Sequence, residues 1–196
     1  MTDANTSLNR REALIDEATR LIAERGMEGF RLREVAEGAG IDHSTLHHYF
    51  PRKSDLVAAV RASVTGRLEQ TMRAGAAGRE PVRALRDHLD GLVTAMRDDP
   101  RLFLVLAELE LHGRRNPAVG RQLEEDERGW RTALEGLLAR TARDGRLREG
   151  ADPRVTAELV VAAVKGARLA PELAAPALSQ LQLLLFPTRS VQERSS

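Results

Sequence analysis

The sequence predicts an all-α protein, and three observations support that expectation. Of 196 residues, 42% are hydrophobic but only 3% aromatic; Leu, Ala, Val and Ile dominate, a balance that favours helices over sheets. Apolar residues recur at helical spacing along most of the chain. Asn116 before Pro117, and Asp152 before Pro153, each place a capping side chain ahead of a proline in a first turn, a helix start.

The elements follow in order. Leu14, Ile15, Ala18, Leu21 and Ile22 predict a first helix over 9–25, ended by Gly26 in a left-handed cap. Val35, Ala36 and Ala39 mark a short second helix over 32–38, and Asp42 caps a third over 43–49. Lys53 opens a longer helix to Met72, followed by a loop over 74–80. Val82, Leu85, Leu89, Leu92, Val93 and Met96 predict an amphipathic helix that stops at Pro100. The next, over 102–111, is apolar nearly all round and is expected to be buried on most sides. The two proline starts predict long helices over 117–143 and 153–169, forming an antiparallel hairpin. Pro171 and Pro176 then break the chain before a short helix over 178–186, and the end from Thr188 is expected to fray.

Composition narrows the function. There is no cysteine, hence no disulfide or thiolate metal site. A polar start and the lack of a long uncharged stretch predict a cytoplasmic protein that does not enter the membrane. The net charge is only +1, so nucleic-acid binding must come from local geometry rather than bulk charge. No phosphate loop, nucleophile elbow or carboxylate pair in an apolar setting is present, so no enzyme activity and no cofactor are assigned.

The most informative stretch is LREVAEGAGIDHSTLHHYFP, residues 32–51. It reads as two short helices joined by a tight turn, with Ala36 and Gly40 leaving room at the crossing and Val35, Ile41 and Leu46 beneath it. Ser44, Thr45, His47 and His48 would then lie around the exposed side of the second helix, able to reach base edges or phosphates in a major groove. His43, His47 and His48 also invite a metal reading, but no further ligand is evident nearby and no metal site is assigned. Glu108 and His112, also four apart, are read as a solvated or hydrogen-bonded pair.

From Gly26 to Leu56 the pattern GxxxxRLREVAEGAGIDHSTLHHYFPRKSDL resembles the DNA-binding segment of the TetR family of one-component regulators. The likeness covers 9–56; the remainder is similar in layout only. The resemblance implies a three-helix helix-turn-helix DNA-binding domain over 1–52 and a helical ligand-binding and dimerisation domain over 53–196. It further implies that Thr45, His47 and His48 meet DNA, that Tyr49 contacts a phosphate, that Phe50 packs in the core and that Lys53 clamps a phosphate. Lys53 is one of only two lysines among 30 basic residues, which singles it out. Arg31 stands where the family often has a capping Thr or Ser and, like Arg33, is placed to reach a phosphate. His47 stands where the family usually has Tyr, so operator affinity is expected to rise as pH falls toward about 6.

The helices over 117–143 and 153–169 carry apolar faces larger than one chain easily covers: Val119, Leu123, Trp130, Leu134, Leu137 and Leu138, then Val155, Leu159, Ala162, Ala163 and Gly166. They are expected to form a homodimer through a four-helix bundle, so that two reading helices meet a palindromic double-stranded operator with half-sites about 34 to 36 Å apart. A small, largely hydrophobic effector is expected among Met96, Phe103, Leu106, Leu109, Trp130 and Leu134, releasing a repressor by tilting the helix that begins at Lys53. The alternatives are a helical small-molecule-binding module that reads no DNA and a metal-assisted enzyme built on the histidines.

Overall fold

The computed structural model describes residues 2–76 and 80–187, with side chains for 7–72 and 80–187. Among these residues the fold is all-α: α1 (Thr2–Gly29), α2 (Leu32–Gly38), α3 (His43–Tyr49), α4 (Lys53–Ala76), α5 (Pro81–Asp98), α6 (Pro100–Arg115), α7 (Pro117–Arg143), α8 (Pro153–Leu169) and α9 (Pro171–Leu185). Residues 77–79 of the expected loop and the end from Thr188 lie outside the described residues.

Two compact units make up the chain, the first of Met1–Leu68 with Asp98–Asp126, the second of Glu69–Arg97 with Glu127–Ser196. The sequence places a boundary at 52/53; by compactness α6, most of α4 and the start of α7 group with the helix-turn-helix.

In the first unit Leu14, Ala18, Leu21 and Ile22 of α1, Phe30, Val35 and Leu46 form a closed core. Gly26 interrupts α1 with φ 69° and ψ 175°, a combination open essentially to glycine alone, and a last turn resumes after it. The expected cap is therefore a kink rather than an end. α6 packs chiefly along α1, and Glu108 on α6 accepts a hydrogen bond from the Met27 amide at 3.1 Å, just past the kink. Arg61 pairs with Asp126, and Arg67 with Asp99 at 3.0 Å.

Two expectations about α6 and α9 need correction. α6 buries Leu102, Phe103, Val105, Leu106 and Leu109 but leaves Leu104 and Leu111 about half exposed, so it is one-sided. Pro171 does mark a break, as the first residue of α9 after the non-helical Ala170, but Pro176 sits inside α9 and interrupts nothing, so the last helix starts earlier than 178.

In the second unit, an ionic cluster joins α7 and α8. Glu127 pairs with Lys165 and with Arg131 at 2.5 Å, and Arg131 approaches Glu158 at 2.9 Å. Burial raises the Glu127 pKa, but the Lys165 and Arg131 cations outweigh it and hold the carboxyl below its usual range. Asp152 caps α8 by accepting from the Val155 amide at 2.9 Å, while Asn116 accepts from Ala118 and Val119 at the start of α7.

The apolar face of α7 is not left over for a partner, contrary to expectation: Leu134, Leu137 and Leu138 are buried, and Val119, Leu123 and Trp130 half-buried. On α8, Val155, Leu159, Ala162 and Gly166 are exposed and Ala163 is half-buried. The adjacent α9 adds Leu173 and Leu184, also exposed.

Candidate functional site: a helix-turn-helix reading head

α2 ends in a Schellman closure: the Ile41 amide donates to Ala36 O at 2.9 Å and that of Gly40 to Glu37 O at 3.1 Å. This requires the positive φ of 66° at Gly40. A Cβ there would meet nothing within 4 Å, so Gly40 is needed for its backbone and not, as expected, for space. Val35 and Leu46 are fully buried under the turn, and Ile41 is half-buried.

Asp42 then starts α3. One carboxylate oxygen accepts from the Thr45 amide at 2.9 Å and from the Ser44 hydroxyl at 2.5 Å; the other accepts from the Thr45 hydroxyl at 2.5 Å. These donors hold the Asp42 carboxyl well below its usual range. With their protons committed inward, Ser44 and Thr45 present oxygen lone pairs outward, which suits the amino groups of cytosine or adenine rather than a phosphate.

Ser44, His47 and His48 are exposed, and Thr45 half-exposed. The His43 and His47 rings meet edge to face at 4.5 Å, and those of His48 and Tyr49 at 5.7 Å. Among the described residues no group of three or more candidate ligands is placed to hold a metal ion.

The flanking cations are spent differently from one another. Arg31 occupies the cap position of α2 without capping it; its guanidinium donates to Glu28 O at 2.6 Å and Phe30 O at 3.2 Å. Arg33 is well exposed and pairs along its helix with Glu37 at 2.8 Å. Lys53 donates to Met27 O at 3.2 Å and Phe30 O at 3.0 Å, its ammonium 4.0 Å from the Phe30 ring centre. Burial, helped by Arg31, pushes its pKa down. Lys53 thus ties the start of α4 to the end of α1, a role its rarity in the sequence did not reveal. The Tyr49 hydroxyl donates to Ser7 on α1 at 3.0 Å, bringing into the site a residue that sequence reasoning missed.

The six residues named from the sequence for an effector divide between the units. Phe103, Leu106 and Leu109 are buried on α6 in the first; Met96 and Leu134 are buried, and Trp130 half-buried, in the second. The Trp130 indole donates to Nε2 of the buried His88 at 2.9 Å, so the ring proton sits on Nδ1, 2.9 Å from the Thr71 hydroxyl. Desolvation lowers the His88 pKa to about 4. Glu108 is engaged by Met27 rather than by His112, whose Nε2 lies 3.4 Å from the Asn116 amide nitrogen. A cavity of about 400 Å³ in the second unit is lined by Met72, Thr132, Ala133, Gly136, Leu137, Arg140 and Arg143, none of them among those six.

Two short helices closed by a Schellman turn, the second N-capped and polar outward, define a helix-turn-helix protein of the DNA-binding, regulatory class. The family model "Bacterial regulatory proteins, tetR family" matches residues 14–60, and "BetI-type transcriptional repressor, C-terminal" matches 81–186. The chain belongs to the TetR family of transcriptional regulators, which are not enzymes.

Its relatives include the HTH-type transcriptional regulator BetI of Rhizobium meliloti, 39% identical over 80 residues, 39% of each chain. The fatty acid metabolism regulator protein of Bacillus subtilis is 24% identical over 151 residues, 75% of each chain. The match thus spans about two fifths of the rhizobial relative's length and three quarters of the other's. Among solved structures, a TetR-family regulator from Agrobacterium tumefaciens superposes with a TM-score of 0.82 at 22% identity, covering 92% of this chain and 99% of that one. AibR in complex with isovaleryl coenzyme A and operator DNA gives 0.75 at 20% identity, covering 91% and 98%. At these identities both show the fold alone. No helix among the described residues is long and apolar enough to cross a membrane.

Proposed function

We propose that the protein is a ligand-responsive repressor that binds a palindromic operator as a homodimer and is released by a small, largely hydrophobic molecule. The observation that carries this reading is α3 itself: a capped helix with Leu46 fully buried and Ser44, His47 and His48 exposed, in a chain of the TetR family. Ser44, Thr45, His47 and His48 read bases. Arg31, Arg33 and the remaining N–H of Lys53 bear on the flanking phosphates, and Tyr49 does so through Ser7, to which its hydroxyl donates.

The dimer forms through α8 and α9, where Val155, Leu159, Leu173 and Leu184 are open to solvent. The effector acts in the second unit, where Met96 and Leu134 are buried and the polar partner of Trp130 is supplied by His88. That AibR was solved with an acyl thioester and operator DNA is in keeping with such a regulator.

Selection of bound sites from random duplex DNA tests the reading. Enrichment of a two-fold symmetric site is the expected result; no enrichment at low salt overturns it. Lipophilic compounds screened by thermal shift should yield a stabilising binder that also lowers affinity for the selected site.

A further inference from the structure

We propose that the start of α1 is a phosphate-binding subsite for the operator backbone, in which Ser7, Arg10 and Arg11 hold one DNA phosphate beside the end of α3. This rests on the reading that α3 enters the major groove. The Tyr49 hydroxyl, at the last residue of α3, donates to Ser7 Oγ at 3.0 Å, so the Ser7 proton is left to donate onward. The Arg11 guanidinium lies 5.4 Å from the ring centre of Phe50, the next residue. Both contacts place the start of α1 against the same end of α3.

Ser7, Arg10 and Arg11 are all exposed, and among the described residues no carboxylate pairs with either arginine, including the adjacent, exposed Glu12. Other described arginines of this unit, Arg31 among them, also lack a carboxylate partner, so what singles out Arg10 and Arg11 is their place, three and four residues on from Ser7 along the face of α1 that meets the end of α3. Two unpaired guanidinium groups and a hydroxyl with a free proton form the donor set that an anionic oxygen requires. Because DNA backbone flanks the groove a reading helix occupies, the ligand is a backbone phosphate contacted without regard to sequence. Tyr49 is then a positioning residue that acts through Ser7.

The test uses the full-length protein and an operator obtained by selection. Arg10→Gln with Arg11→Gln should weaken binding to operator and to a scrambled duplex by a similar factor, on the order of tenfold. It should also lower the log–log salt slope by about 2, one phosphate per subunit in a dimer. Arg11→Lys should restore much of both. Ser7→Ala and Tyr49→Phe should each weaken binding, and together no more than either alone. A methylphosphonate scan should reveal one flanking position per half-site that weakens the unsubstituted protein but not the double variant.

An unchanged salt slope in the double variant overturns the proposal. So does a loss in Arg11→Gln that Arg11→Lys fails to restore at unchanged slope, which assigns Arg11 to packing on Phe50. If instead Thr45→Ala and His47→Ala leave the base preference of selected sites unchanged, the role of α3 fails, while the methylphosphonate scan still reports on α1.

Discussion

His88 shows how much one buried group governs. Burial disfavours its charged form and lowers its pKa to about 4, and because it accepts from Trp130 through Nε2, protonation there would also break that bond. The unfolded chain, with an ordinary value of 6.5, takes up the proton first. Stability from this residue is therefore complete above that value and is lost as pH falls from about 6.5 toward 4. Between pH 7 and pH 5 the loss is roughly 2 kcal/mol, measurable as a lower urea midpoint by circular dichroism. His88→Gln, which still offers an oxygen to Trp130, should lose most of that pH dependence. Asp42 has a different reach, because it orders both the α3 backbone and the hydroxyls of Ser44 and Thr45. Asp42→Ala should lower operator affinity and blur base preference at the positions those hydroxyls meet; a repeat selection with unchanged preference would contradict it.

Among the elements, the kink in α1 is the feature most exposed to test. At Gly26 an added Cβ would be strained by the backbone angles and would sit 3.0 Å from Glu108 Oε2. Gly26→Ala should therefore destabilise the protein by about 1–3 kcal/mol, read from thermal melts. Glu108→Ala, which only removes the acceptor for the Met27 amide, should cost less, about 1 kcal/mol. Most helices were legible because their signals are local: Asn116, Asp152 and Asp42 all cap as their positions implied. What was not legible depends on partners distant in sequence. Periodicity could not say that α6 would leave Leu104 and Leu111 exposed. Nor could it say that Lys53 would turn to carbonyls more than twenty residues away, or that Tyr49 would find Ser7. Pro176 was misread because proline usually ends a helix; near the start of α9 it removes a single donor.

At the scale of the whole molecule, the proposed dimer would hold its two reading heads through the exposed residues Leu159 and Leu184. Leu159→Glu with Leu184→Glu should give a monomer by light scattering and weaken operator binding severely, while the secondary structure is kept; a dimer that persists would place the interface elsewhere. Contacts to about four phosphates per subunit imply a log–log salt slope near −7 for the dimer. A slope close to half that value in the double variant would tie dimerisation to the count of phosphates held.

Trp130 is the sole tryptophan of the chain, and its indole N–H is held by a single buried imidazole. The tryptophan emission of the unlabelled protein therefore reports the surroundings of a single ring, its bond to His88 among them. A compound that separates the two rings should shift the emission maximum as it binds, so occupancy can be followed by titration in a cuvette without DNA.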